Sequence, residues 1–466
     1  MRRRVVVVGA GPAGLMAAIE ARRRGAEVVL IDEATRPGGQ ILRQAPERLA
    51  VEPIATATEL ERKNIVLGAF EAIRPDIDYR AETAAYALFP GPELHIAGAD
   101  RSRILKPDAV VLATGVSERA LPFPGWTLPG VLNVGGVQAL LKGQGVLPPE
   151  PIAIVGAGPL PLVVAAQLVE AGAEVAVVAL AEPFRRMLRH PLGLWAGRRL
   201  VKQGIRQIRA LARARVPVLQ GWLPLRAEGE ARVEALVLAP TGGDGAAEAR
   251  RARRLPVGSV ALNHGFTANA ELALMLGAPS RFDLAGGGWI PETDAFGQGG
   301  IEGLFLAGDV AGLRGARIAE TEGRIVGAAA AEASLDAAAR IRLSRELAAD
   351  FRTRRAQLRF QHAVRETLLL APAAWSLAEP ETIICRCENV TRGRLQTAFE
   401  AGHDSLDAIK RNTRAGMGWC GGRGCLASIA AMAAGGDPGP ETAPMRGRPL
   451  ARPVTMAALA NQGIEP

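Results

Sequence analysis

Two stretches of this chain follow one pattern: RVVVVGAGPAGLMAAIEARRRGAEVVLIDE at 4–33 and PIAIVGAGPLPLVVAAQLVEAGAEVAVVAL at 151–180. Each reads as an apolar strand, a glycine turn, a helix and a second apolar strand. Such a unit dictates parallel pairing, because its helix must cross one face of a sheet to bring the second strand beside the first. The repeat predicts an α/β chain with two Rossmann-like dinucleotide-binding domains, and 466 residues leave room for a further small module.

The first turn, Gly9, Ala10, Gly11, Pro12, Ala13, Gly14, meets the dinucleotide fingerprint. Its first glycine turns the chain, the second admits a pyrophosphate and the third lets the helix pack closely. The N–H groups of that helix then face the phosphates. An acid should close the second strand and take the ribose hydroxyls; Asp32 and the adjacent Glu33 both qualify. PGGQ at 37–40, ATG at 113–115 and LFLAGD at 304–309 resemble, in that order, the segments by which flavoproteins with two dinucleotide domains hold FAD. That resemblance places Gly39 and Gln40 near the flavin, Ala113, Thr114, Gly115 and Gly308 along the cofactor, and Asp309 at its ribityl or pyrophosphate region. An FAD domain built from 1–120 and 290–345 is expected, interrupted by a second nucleotide-type domain at 121–289.

The second turn is degenerate. Gly156 and Gly158 remain, but Pro161 stands where the third glycine belongs, and the ribose position falls on Ala179. Neither an acid nor an arginine is placed there, so hydride exchange with NAD(P)H is not expected. Glu182, in the following loop, leaves a nicotinamide-dependent alternative open.

Cysteine placement narrows the chemistry further. The cysteines are Cys385, Cys387, Cys420 and Cys425, all within the last part of the chain. No thiol pair can face a flavin in the PGGQILRQ segment or in the second domain, which excludes disulfide-reductase chemistry. The spacing C-x-C followed by C-x4-C makes a poor zinc knuckle and a better set of four thiolates for a [2Fe-2S] cluster. Glycines 416, 418, 421, 422 and 424 would crowd backbone N–H groups around the sulfurs, and Arg386 and Arg423 would offset thiolate charge. This module is expected at 380–430 with two short helices, followed by a Gly-, Pro- and Arg-rich tail at 434–466 that dangles or lies along a partner.

The net charge of +9 comes mostly from scattered arginines, and aromatic residues make up only 4%. Without clustered stacking residues or a reading motif, this is no nucleic-acid surface. No uncharged apolar run reaches the length of a membrane span. The opening MRRRVVVV imitates a secretory signal, but its glycines and charged continuation suit a strand and turn, so a cytoplasmic protein is expected. His95, His190, His264, His362 and His403 occur singly, with no paired acid–base group, and no general base is assigned.

GAGPAG, RPGGQ, GFTANAEL at 265–272, LAGD and CRCENVT…RAGMGWCGGRGC together resemble the alpha subunits of heteromeric amine dehydrogenases. That family includes subunits of opine oxidase, hydrogen cyanide synthase and the proline and hydroxyproline dehydrogenases. The resemblance implies an FAD domain fused to a bacterioferritin-associated-ferredoxin-like [2Fe-2S] domain. It further implies an amino-acid-oxidase-like flavoprotein partner that oxidises a C–N bond, with this chain relaying electrons to a downstream acceptor. Where the family has Gln after the third cysteine this chain has Gly421, which removes a donor but no ligand. The other readings are a stand-alone NAD(P)H-dependent reductase and a non-enzymatic iron–sulfur sensor or accessory protein.

Overall fold

The computed structural model describes residues 2–46, 49, 57–436, 438–445 and 449–465. Each repeated unit builds the centre of its own parallel sheet. In the first, the strands run in the order Leu304–Leu306, Ala109–Leu112, Arg4–Val8, Glu27–Ile31, Asp78–Arg80. Val5 pairs with both Val28 and Ala109, so Val5, Val6 and Val7 lie wholly buried in the middle. A continuous valine run is what a strand covered on both faces requires. The second sheet runs Val218–Gln220, Val175–Leu180, Ile152–Gly156, Ser259–Asn263, Val131–Asn133, likewise all parallel.

The helix Pro12–Arg23 begins with proline at its first position, where no N–H is needed. The helix Ala316–Ala331 lies against it at very close range. A Cβ on Gly323 would stand 2.2 Å from the carbonyl oxygen of Ala13, and one on Gly327 2.3 Å from that of Ala17. These two glycines let the second helix follow the turn that carries Asp309. The alanine-rich stretch that follows is split: a new helix starts at Ala337, capped by the Asp336 carboxylate accepting from the Ala339 N–H at 2.8 Å.

A small antiparallel meander forms from the strands Ala84–Phe89, Glu93–Ala97 and Ser102–Leu105. Its fourth strand comes from the other end of the chain. Residues Gln462–Glu465 pair in parallel with Ser102–Leu105, and Glu465 is bound by Arg4 at 2.9 Å and Arg80 at 2.6 Å. The described tail therefore does not dangle or wait for a partner. It covers a sheet edge of its own chain, and an unpaired edge with two arginines beside it is a strong acceptor for a strand ending in a carboxylate.

The cysteine module comprises the hairpin Ile383–Cys385 and Val390–Thr391, the helices Arg392–Glu400 and Leu406–Thr413, and the helix Leu426–Ala433. It shares a hydrophobic core with the rest of the molecule: Ile384, Leu395, Ile409 and Ile429 pack in one cluster with Leu121, Phe282, Trp289 and Leu368. Trp126, from the proline-rich connection between the two sheets, donates its indole N–H to the Ile383 carbonyl at 2.6 Å. Among the described residues no helix is long and apolar enough to cross a membrane.

Candidate functional site

A cavity of about 1730 Å³ opens along the carboxyl ends of the first sheet and extends toward the second. Ligands of open parallel sheets bind at this edge. Gly9, Gly11, Pro12, Ala13, Asp32, Glu33, Gly39, Gln40, Ala113, Thr114, Gly115 and Asp309 all line it. Gly14 and Gly308 do not; they lie buried behind the wall and have packing roles.

The glycines have geometric reasons. Gly9 has φ +104°, and a Cβ there would meet the Ala113 oxygen at 2.5 Å. A Cβ on Gly14 would sit 1.7 Å from the Gly9 oxygen. Gly38 donates its N–H to the Ala10 carbonyl at 2.8 Å, which lays the second glycine pair across the first turn, and a Cβ on Gly39 would lie 2.8 Å from the Gly11 Cα. Gly11 itself faces open space, with nothing closer to its Cβ position than 3.9 Å. The first helical N–H groups have no intrahelical partners and point into this cradle.

The two acids differ in what already holds them. The Asp32 carboxylate accepts from the N–H groups of Ala10 and Ala34, so it braces the turn. Burial holds its carboxyl above the usual carboxylate range, and those two N–H groups offset only part of that rise. Glu33 is exposed and paired with Arg452 at 2.8 Å. Asp309 braces the opposite wall by accepting from the N–H groups of Arg314 at 2.8 Å and Gly315 at 2.7 Å. Arg36, Arg43, Arg62, Arg314 and Arg317 add positive charge suited to a pyrophosphate. Shape, open glycine cradle and charge fit FAD.

Sequence reading missed several residues of this wall. Asn269 ties the crossover between the domains: its carbonyl accepts from the Thr114 hydroxyl at 2.7 Å, its amide donates to the Thr114 carbonyl at 2.9 Å, and its side-chain oxygen accepts from Ser117 at 2.7 Å. Glu118 accepts from the Gly135 N–H and the Asn263 amide, both at 2.7 Å, and burial lifts its carboxyl to about 7. Asn269 lies within the GFTANAEL motif, whereas none of the motifs includes Glu118. His264 is fully buried and accepts from the Leu121 N–H at 3.3 Å; burial drops it to about 3, which keeps it neutral and structural.

The second turn presents a contrast. Where Gly11 faces open space, a Cβ on Gly158 would meet Leu368 Cδ2 at 2.6 Å, and the Gly158 N–H is already given to the Thr367 carbonyl at 3.1 Å. Gly156 is packed against the Asn263 carbonyl, 1.9 Å from its Cβ position. Glu182 is buried, accepts from the Ala371 N–H and pairs with Arg186 at 2.9 Å. The chain's own segment 367–371 thus packs onto the second glycine turn and engages Glu182.

The four cysteines come together as two pairs, each joining one upstream and one downstream cysteine: Cys385 with Cys425 and Cys387 with Cys420. The Cys425 thiol donates to Cys385, and the N–H groups of Gly416, Glu388 and Cys387 add to it, drawing Cys385 down to about 6. Cys425 is pushed well up by the same contact and by burial. A Cβ on Gly418 would stand 2.2 Å from that of Cys387, so the glycine is what admits the sulfur. Among the described residues no three such side chains converge tightly enough for one ion. Two thiol pairs beside convergent backbone N–H groups fit a binuclear iron–sulfur centre.

Comparison with known proteins agrees with this geometry. The profile of the pyridine nucleotide-disulphide oxidoreductase family matches residues 3–333, and that of the BFD-like [2Fe-2S] binding domain matches 383–434. The chain is similar to the HcnB component of hydrogen cyanide synthase from Pseudomonas aeruginosa, 35% identical over 438 residues that span 91% of each protein. It is also similar to a subunit of opine oxidase from Agrobacterium tumefaciens, 33% identical over 441 residues, 91% of this chain and 84% of that one. L-Proline dehydrogenase from P. horikoshii shares the fold, with a TM-score of 0.65 at 18% identity over 98% of this chain and 79% of the other.

Proposed function

The chain belongs to the pyridine nucleotide-disulphide oxidoreductase family, with a BFD-like [2Fe-2S] domain behind it, and on that footing we propose that it is the electron-relaying subunit of a heteromeric amine dehydrogenase. It is an FAD-dependent oxidoreductase with a [2Fe-2S] cluster, related to subunits of multi-subunit enzymes. In this reading a partner flavoprotein oxidises the C–N bond of an amino acid or opine, and this chain takes up the electrons.

The observation that carries the reading is the closed second turn. Leu368 and the Thr367 carbonyl pack on Gly158, the counterpart of Gly11, while the cradle at Gly11 is open, which supports a second site that does not take up a nicotinamide dinucleotide. Electrons then reach the first cavity from a source other than NAD(P)H. No cysteine lines that cavity among the described residues, which leaves thiol exchange with the flavin out as well.

FAD supplies two-electron acceptance and the cluster one-electron exchange. Gly9, Gly11, Pro12 and Ala13 present backbone to the pyrophosphate, Asp32 or Glu33 takes the adenosine ribose, and Gly39, Gln40, Ala113, Thr114, Gly115 and Asp309 hold the remainder, with Gly14 and Gly308 packed behind them. Gly156 and Gly158 serve as scaffold. Cys385, Cys387, Cys420 and Cys425 are the cluster ligands.

The test is co-expression with an amine-oxidising flavoprotein partner. The complex, given proline, hydroxyproline, glycine or an opine without oxygen, should develop the electron paramagnetic resonance signal of a reduced cluster. An isolated chain that turns over one of these substrates unaided would defeat the proposal.

A further inference from the structure

Arg423 lies between the two downstream cysteines, yet its side chain turns inward and is only 11% exposed. Its Nη1 donates to the carbonyl of Cys420 at 3.0 Å and its Nη2 to the carbonyl of Ala451 at 3.1 Å. Its Nε faces the Glu271 carboxylate. Arg423, Glu271 and Ala451 all stand in the wall of the large cavity, beside the Arg452 that pairs with Glu33. One guanidinium therefore touches the backbone of a cysteine in the thiol cluster and the wall of the flavin cavity at once.

A planar fork of this kind fixes direction as well as charge. Its charge is removed from water, so it acts on its surroundings with little screening. A [2Fe-2S] centre that accepts one electron gains one negative charge and takes up no atom. A buried cation bonded to a ligand's own carbonyl favours that form, and a neighbouring carboxylate opposes it.

We propose that Arg423 is a positioning residue that couples the two redox sites, holding the Cys420–Cys425 loop on the cavity wall and raising the potential of the cluster, with Glu271 acting in the opposite sense. This rests on the four cysteines being the cluster ligands, which iron analysis of the wild-type protein checks separately.

The experiment compares Arg423→Gln, Arg423→Lys and Glu271→Gln in the full chain, measuring iron and FAD content and the cluster midpoint potential by titration followed with electron paramagnetic resonance. With both cofactors retained, the potential is expected to fall in Arg423→Gln, to rise in Glu271→Gln and to stay near wild type in Arg423→Lys, whose altered line shape reports the loosened loop. Potentials that do not move, or that move the same way in both glutamine variants, overturn the proposal. If Arg423→Gln does not fold, Glu271→Gln decides alone: a rise supports the coupling and an unchanged or lower potential overturns it. A wild-type protein without iron would instead overturn the ligand assignment.

Discussion

Replacing Glu118 by glutamine should remove a pH dependence built into the cavity wall. The carboxyl is held at the start of the helix Val134–Gln144 by the Gly135 N–H and, from the second sheet, by the Asn263 amide. Burial lifts it from an ordinary 4.5 to about 7, and the two donors recover only part of the lost hydration. Because the folded value is raised, the stability the group contributes is present below 4.5 and is lost as pH rises through about 7. At about 1.4 kcal/mol for each unit, the ionised form costs the native state about 3.5 kcal/mol, which the partial exposure to the cavity trims to about 2 kcal/mol. For a domain of this size that corresponds to roughly 4–8 °C in melting temperature. Thermal unfolding of both proteins at pH 5 and pH 8, followed by circular dichroism and flavin fluorescence, should show the variant gaining on the wild type by about that much at the higher pH. A gap that is the same at both pH values would refute the reasoning.

Other substitutions probe the two cofactor sites separately. Gly14→Ala forces a Cβ to within 1.7 Å of the Gly9 oxygen; it should cost about 3 kcal/mol or more and yield protein without the flavin band. Cys385→Ser and Cys420→Ser each take one thiol from a different pair, and each should abolish iron binding and the cluster's visible absorption while FAD stays bound; iron retained in either variant would contradict the ligand set.

Much of the architecture was legible because local pattern and global fold agree. The valine run of the first strand, the glycine turn and the alternation that follows can satisfy their backbone only as a parallel unit, and the repeat at 151–180 says so twice. The cysteines were legible because their residue type is rare in this chain and their spacing is compact. What stayed hidden depends on contacts remote in sequence. Nothing local in QGIE at 462–465 says that it will pair with Ser102–Leu105, because the arginines that draw it there are Arg4 and Arg80. Leu368 reads as an ordinary apolar residue until the fold lays it on Gly158. Glu118 ends one short strand and Asn269 follows another, and their importance comes only from the crossing of the two domains. Arg423 was read as a charge beside the thiols, whereas the fold shows it facing the other way too, into the cavity.

The closed second turn is the point on which the functional account depends, and anaerobic addition of NADH or NADPH to the purified, flavin-loaded protein tests it directly. The account predicts that the flavin band stays unchanged with either nucleotide, while dithionite added to the same sample bleaches it and reduces the cluster. Prompt bleaching by a nicotinamide nucleotide would mean that Leu368 and Thr367 do not bar the site, and would turn the chain into a self-sufficient reductase.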